Sequence, residues 1–307
     1  MHQAPISNQL SLKNWGMLLL LAFLWGGSFF FIGLSVKQVP PFTIVAIRVS
    51  VAALLLHITL KISGQKLPIS SSALKAYAGM GLLNNAIPFG LIAWAQSHIA
   101  GGLASILNAT TPLFTILIMH FFSTDERLTK GKSVGIILGF AGVAIMMSGT
   151  IISFNADLLS EIAVLAAALC YGFSGIVGRR FKTLQILPLA TATGMLTASS
   201  LIMLPMAILV DKPWQIPVPS LDVWLAIACL AVFSTAFAFI VFFRILASAG
   251  MTNTTLVTFL VPVFAILLGT WQLGEILQPR HYAGMALIAC GLLVMDGRLI
   301  KRISSST

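Results

Sequence analysis

The sequence predicts an all-α integral membrane protein with ten transmembrane helices, arranged as a 5+5 inverted-topology repeat around a central cavity. Three observations predict it. The 307 residues are 58% apolar and 8% charged, with a mean hydropathy of +0.99, too little polar surface to cover a soluble globule. The apolar residues fall into ten runs of roughly 20 to 25 residues, each able to cross a ~30 Å hydrocarbon core at about 1.5 Å per residue. The segment Asn108-Ala109-Thr110-Thr111-Pro112-Leu113-Phe114 also returns 150 residues later as Thr258-Phe259-Leu260-Val261-Pro262-Val263-Phe264, proline on proline and phenylalanine on phenylalanine. A unit written twice in a membrane chain is a physical pointer to transport.

Residues 1–14 are short and polar, with Lys13 as the strong charge. They lack the charged start and cleavage site of a secretory signal, so a retained cytoplasmic segment is expected. The apolar runs follow at 15–36, 41–60, 73–95, 99–122 and 133–152, then at 158–178, 186–210, 221–243, 249–272 and 281–300. This divides the chain into a first five-helix repeat (15–152), a second (153–300) and a cytoplasmic tail (301–307). Helices are the expected form, because backbone groups in lipid must be satisfied internally and the period-two alternation of a barrel is absent.

Orientation follows from Lys and Arg. Lys13, Lys61, Lys66, Lys75, Arg127, Lys130, Lys132, Arg179, Arg180, Lys182, Arg244, Arg298, Lys301 and Arg302 fall on one side, fourteen of the 18 basic residues. Lys37, Lys212 and Arg280 fall on the other, and Arg48 lies inside a span. The positive-inside rule then places both termini in the cytoplasm of a bacterial inner membrane. The net charge of +10 is read as topology, since there is no basic face or fingerprint for nucleic acid. Cys170, Cys229 and Cys290 sit in apolar runs without metal-ligand spacing and read as small hydrophobes.

The repeat extends well beyond its prolines. Trp25-Gly26 matches Tyr171-Gly172, Asn84-Asn85 matches Ser234-Thr235, and Phe89 matches Phe239. Glu126 with Gly135 and Gly142 matches Glu275 with Gly284 and Gly291 at identical spacings. The offset drifts from 146 to 150 and then to 149, as it would if only loops gained or lost residues. With five spans per half, the second half enters the membrane inverted.

These residues carry a resemblance. Trp25-Gly26-Gly27-Ser28-Phe29, Arg48, Pro112 and Pro262, and the Glu-then-Gly series closing each half make the chain similar to the EamA-type permeases of the drug/metabolite transporter superfamily, over nearly its whole length. The resemblance implies a basket of helices in which the first, third, fourth, sixth, eighth and ninth surround a cavity, with the fifth and tenth peripheral. It also implies export of amino acids and other small metabolites, as in the YddG-like aromatic amino acid exporters.

Polar side chains at membrane depth cost free energy unless they pair or line a wet cavity. Asn84, Asn85, Asn108, Thr110, Thr111, Ser234, Thr235 and Thr258 form a belt near the midplane. Cavity lining is the reading for the asparagines. Interhelical or intrahelical bonding is the reading for the threonines, worth only about 0.6 to 2 kcal/mol per contact. Trp15, Trp94, Trp214, Trp224 and Trp271 lie at span ends, where an interfacial belt explains them. Trp25 lies ten residues beyond Trp15, about 15 Å of rise, at mid-depth like its mate Tyr171. The two could stack on a substrate or fill the core.

Arg48 is the formal charge well inside a span, with no carboxylate at its depth. A substrate carboxylate could be its counterion. Snorkelling to the outer end or bonding carbonyls is the favoured reading, since Pro41 is roughly 10 Å away along the helix. The candidate substrate-binding residues are thus Trp25, Arg48, Asn84, Asn85 and Asn108 in the first half with Thr111. Tyr171, Ser234 and Thr235 complete the set in the second. Pro112 and Pro262 are candidate paired hinges. His57 and His120 read as solvated near the cytoplasmic ends. The glycines of the fifth and tenth spans read as close packing within one chain, with a dimer as the alternative.

The expected function is export of small neutral or zwitterionic metabolites, foremost amino acids, by alternating access. The partners are the solute and the lipid bilayer, the working unit is a monomer, and no cofactor or metal is expected. A flippase of a lipid-linked substrate and a proton-coupled antiporter are the alternatives. No Ser/His/Asp set, paired carboxylates or GxxxxGK[ST] loop supports an enzyme or an ATP-driven pump.

Overall fold

The protein is described by a computed structural model over residues 11–122, 129–153, 156–254 and 256–296. Glu126, one of the repeat-matched acids, lies outside these. Ten helices in chain order make up the described fold: α1 Leu12–Ser35, α2 Pro41–Ile62, α3 Ser71–Ala95, α4 Gly101–Phe122 and α5 Lys130–Ser153, then α6 Ala156–Thr183, α7 Pro188–Asp211, α8 221–254, α9 Val257–Leu273 and α10 Pro279–Asp296. Eight are long and apolar enough to cross a bilayer by themselves, and α9 and α10 form a shorter apolar pair.

Local chemistry sets the boundaries. Ser11 caps α1 by accepting from the Asn14 N–H, and Ser70 caps α3 by accepting from that of Ala73, each satisfying an orphan donor of a first turn. Pro41 and Pro188 open α2 and α7, where a missing N–H is harmless. One boundary differs from the sequence expectation. The winding of α8 continues to Thr254 and α9 starts only at Val257, whereas the hydropathy runs broke at 243 and 249. Hydropathy dips there, but Ala247-Ser248-Ala249 contains no helix stop, and the winding carries through it to Thr254.

Packing reproduces the internal symmetry. The principal contacts are α1 on α9 and α6 on α4, α1 on α8 and α6 on α3, and α2 on α8 and α7 on α3, together with α2 on α7, α4 on α9 and α5 on α10. Exchanging each helix for the one five places along maps this set onto itself, as a two-fold between inverted halves requires. The finest contacts obey it too. A Cβ on Gly26 of α1 would lie 2.8 Å from the Val261 carbonyl oxygen and 3.0 Å from the Ala265 nitrogen on α9. One on Gly172 of α6 would lie 3.2 Å from the Thr115 nitrogen and 3.3 Å from the Phe114 carbonyl carbon on α4. Each glycine therefore lets a proline-bearing helix approach backbone to backbone.

The α5–α10 pair is closed by glycine in the same way. A Cβ on Gly142 would meet the Gly284 carbonyl oxygen at 2.7 Å, and one on Gly291 would meet that of Gly135 at 2.5 Å. The small faces predicted for these helices are used inside the chain, against each other.

Candidate functional site

The polar belt is built on two irregular turns. Leu82–Ala86 in α3 and Val232–Phe237 in α8 are wound as π-helix, and they are repeat mates 150 residues apart. Each contains the polar pair singled out in its half, Asn84-Asn85 and Ser234-Thr235. A π-turn widens the helix and sets a carbonyl off its usual ladder. In α8 the Thr235 hydroxyl takes up this slack by donating to the Leu230 carbonyl at 2.8 Å. Apolar periodicity could not reveal the π-turns. The clue was two adjacent polar residues at matching places in both halves.

On one side of the two-fold, Asn84 Nδ2 donates to Ser174 Oγ at 3.0 Å, and Ser174 donates to the Tyr171 carbonyl at 2.7 Å. On the other, Ser28, the mate of Ser174, donates to the Trp25 carbonyl at 2.6 Å. Asn84 is thus tied to α6 directly below its aromatic candidate. Trp25 and Tyr171 are not brought against each other. The Trp25 ring lies 5.6 Å from that of Phe242 on α8, while Tyr171 lies on α6. Both are half-buried.

Arg48 does not snorkel. It is 4% exposed, its Nε donates to the Thr235 hydroxyl at 2.7 Å, and its guanidinium sits 3.8 Å above the Phe89 ring on α3. Thr235 accepts this bond while donating to Leu230, so the π-turn of α8 orients the cation. Asn85 is the repeat mate of Thr235. It is fully buried, and neither atom of its amide has a hydrogen-bond partner among the described residues. Ser234 Oγ and Asn108 Oδ1 are likewise buried and unbonded. Buried polar atoms in this state are exceptions to the general rule of satisfaction and point to a bound solute or water as the missing partner.

The α4 segment is interrupted where the sequence drew attention. Its winding stops at Asn108 and resumes at Thr111. Pro112 has no N–H to return to the Asn108 carbonyl, and the Thr111 hydroxyl takes its place at 2.7 Å. Thr110 does the same for the Leu107 carbonyl at 2.6 Å. The winding of α9 runs without interruption through Pro262. Leu260 and Val261 stand where Thr110 and Thr111 stand in α4 and carry no hydroxyl, so the proline is shared and the break is not.

Acidic side chains serve helix ends. Asp211, closing α7, accepts from the Thr43 N–H at 2.6 Å and from its hydroxyl at 2.9 Å, in the first turn of α2. Glu275 accepts from Gly101 and Gly102 at 2.8 and 2.9 Å, at the start of α4. Both place a carboxylate on the positive end of a helix. Glu161, a little over one turn into α6, is fully buried.

Comparison with known proteins agrees with this architecture. The EamA-like transporter family matches the chain twice, over residues 14–148 and 158–295, and the chain belongs to that family. It is a membrane transporter built from two copies of one domain. It is 30% identical over 285 residues to the uncharacterized inner membrane transporter YedA of Escherichia coli (strain K12), covering 92% of this chain and 90% of that one. It is 27% identical over 278 residues to the uncharacterized transporter YoaV of Bacillus subtilis (strain 168), covering 88% and 92%. A solved crystal structure at 20% identity superposes with a TM-score of 0.66, covering 93% of this chain and 98% of the other, a likeness of fold.

Proposed function

We propose that the protein exports small neutral or zwitterionic metabolites, amino acids foremost and aromatic ones included, by alternating access of its two halves about the midplane belt. The observation that carries this is the belt itself. Asn85, Ser234 and Asn108 hold polar atoms that nothing in the described structure satisfies, at the interface of the two repeats, where inverted-repeat transporters place their substrates. Trp25, Phe89 and Tyr171 add aromatic surface beside it. Pro112 and Pro262, set against Gly26 and Gly172 across the two-fold, would be the bending points, and the hydroxyl-patched break of α4 makes that side the softer one. In this reading the protein works as a monomer in a bacterial inner membrane with both termini in the cytoplasm.

Passive efflux or exchange is the favoured mode. Proton-coupled antiport is the second reading, carried by the fully buried Glu161. Proteoliposomes holding the purified chain, loaded with a panel of amino acids, nucleosides and lipid phosphates, test both. Efflux of neutral amino acids that persists after the pH gradient is collapsed is the expected result. Strict dependence on the gradient would select the antiporter, and activity toward lipid phosphates alone would overturn the amino-acid reading in favour of a flippase.

A further inference from the structure

Arg48 is a permanent cation held in the interior of the bundle. Among the described residues it has one hydrogen bond, through Nε to Thr235, and no carboxylate pairs with it. Asp211 of α7 meets α2 at Thr43, five residues from Arg48 and about 7.5 Å of rise away, and there its Oδ2 is occupied by the Thr43 N–H and hydroxyl. The remaining N–H donors of the guanidinium fork have no hydrogen-bond partner among the described residues. A buried charge in this state is costly unless an opposite charge arrives from outside.

The surroundings fix which opposite charge would fit. The Nε bond to Thr235 and the Phe89 ring, 3.8 Å below, hold the guanidinium plane and leave its terminal edge for a planar, two-pronged acceptor. A carboxylate matches that edge with two parallel N–H···O bonds, and a neutral amide or alcohol does not. Phe89 lines the place with aromatic surface suited to an apolar body behind the acid group.

We infer that Arg48 is the carboxylate receptor of the transport site, so that the carried solute is a carboxylate-bearing molecule with an apolar or aromatic body whose acid group supplies the cation's missing counterion. The inference rests on reading the belt as a solute site. It has a kinetic corollary: the loaded carrier is electrically paired and the empty one is not. Reorientation with solute bound should then be faster than reorientation empty, and exchange faster than net efflux.

The test uses four solutes sharing one aromatic skeleton: phenylalanine, hydrocinnamate lacking the amine, phenylalaninamide with the acid masked, and phenethylamine with the acid removed. Thermal stabilisation of the purified full chain reads binding without requiring transport. Phenylalanine and hydrocinnamate are expected to stabilise it at concentrations about tenfold or more below those needed for the other two, as a charge-assisted pair replaces a neutral contact. Arg48→Gln is expected to abolish that preference, and Arg48→Lys to retain part of it without the fork. Because Arg48→Gln could impair folding, Thr235→Val offers a milder variant that keeps the charge and loosens its orientation, with a narrower preference expected.

Equal stabilisation by acid and amide, or a preference that survives in folded Arg48→Gln, overturns the receptor. Flux of neutral solutes in proteoliposomes without any preference for acids overturns the receptor and leaves the transporter reading standing. Acid-selective binding that never gives amino-acid flux does the reverse.

Discussion

At the scale of single residues, what distinguishes this interior is side chains that repair or orient backbone. Thr111 gives its hydroxyl to the carbonyl that Pro112 strands. Thr111→Val should leave that carbonyl unbonded and cost about 1 kcal/mol, read as a lower melting temperature in detergent. Thr111→Ser, which keeps the donor, should be close to wild type. The belt residues make a different prediction. Alanine at Trp25, Asn84, Asn85 or Asn108 should reduce the transport rate while folded yield is kept. Normal rates in all four would remove the midplane site, and loss of yield in place of rate would assign them to packing. Several of these residues stood out in the sequence because a polar side chain deep in an apolar run is conspicuous alone. The partner of each was not legible: Thr235 lies 187 positions from Arg48, and nothing local links them.

At the scale of elements, the controlling feature is how closely helices approach. Gly26 and Gly172 sit where a Cβ would press on the opposing backbone. Gly26→Val and Gly172→Val should therefore each destabilise the protein by roughly 1–3 kcal/mol through overpacking. Gly16 lies on the same helix as Gly26 with nothing within 4 Å, and Gly16→Ala is the control expected to fold normally. Matching losses at the two buried positions would show that the halves depend on the same contact. Helix ends give a second test. Glu275 holds two N–H groups of α4 with its two oxygens. Glu275→Gln keeps the shape but loses the charge and one of the acceptors, and should lower thermal stability by about 0.5–2 kcal/mol. Matched glycines and prolines made these elements visible beforehand. The π-turns were not visible, because a single widened turn alters winding without altering composition.

At the scale of the whole molecule, two inverted copies share one packing scheme and differ in chemistry. Arg48 has no charged counterpart in the second half, and α4 is broken where α9 is continuous. The two ends of the transport cycle are accordingly expected to be unequal in energy, with motion concentrated on the α4 side. The orientation is open to direct measurement. A fluorescent protein fused after Thr307 should mature and fluoresce, and a periplasm-dependent phosphatase fused there should stay inactive. The opposite pattern would invert the topology and turn the proposed export into uptake.

The sequence by itself determined the membrane class, the helical form, the number of spans and the doubled, inverted plan. These follow from quantities summed along the chain: hydropathy over about 20 residues, the sidedness of lysine and arginine, and the spacing of prolines and glycines. Only the tertiary structure decided that Arg48 is buried on Thr235 and Phe89 instead of reaching for the interface. It also decided that Trp25 lies against Phe242, and that acids at helix ends cap neighbouring helices. Those outcomes depend on which side chains meet across helices far apart in sequence. A buried charge or amide is settled by the partner it finds there, which no local pattern encodes.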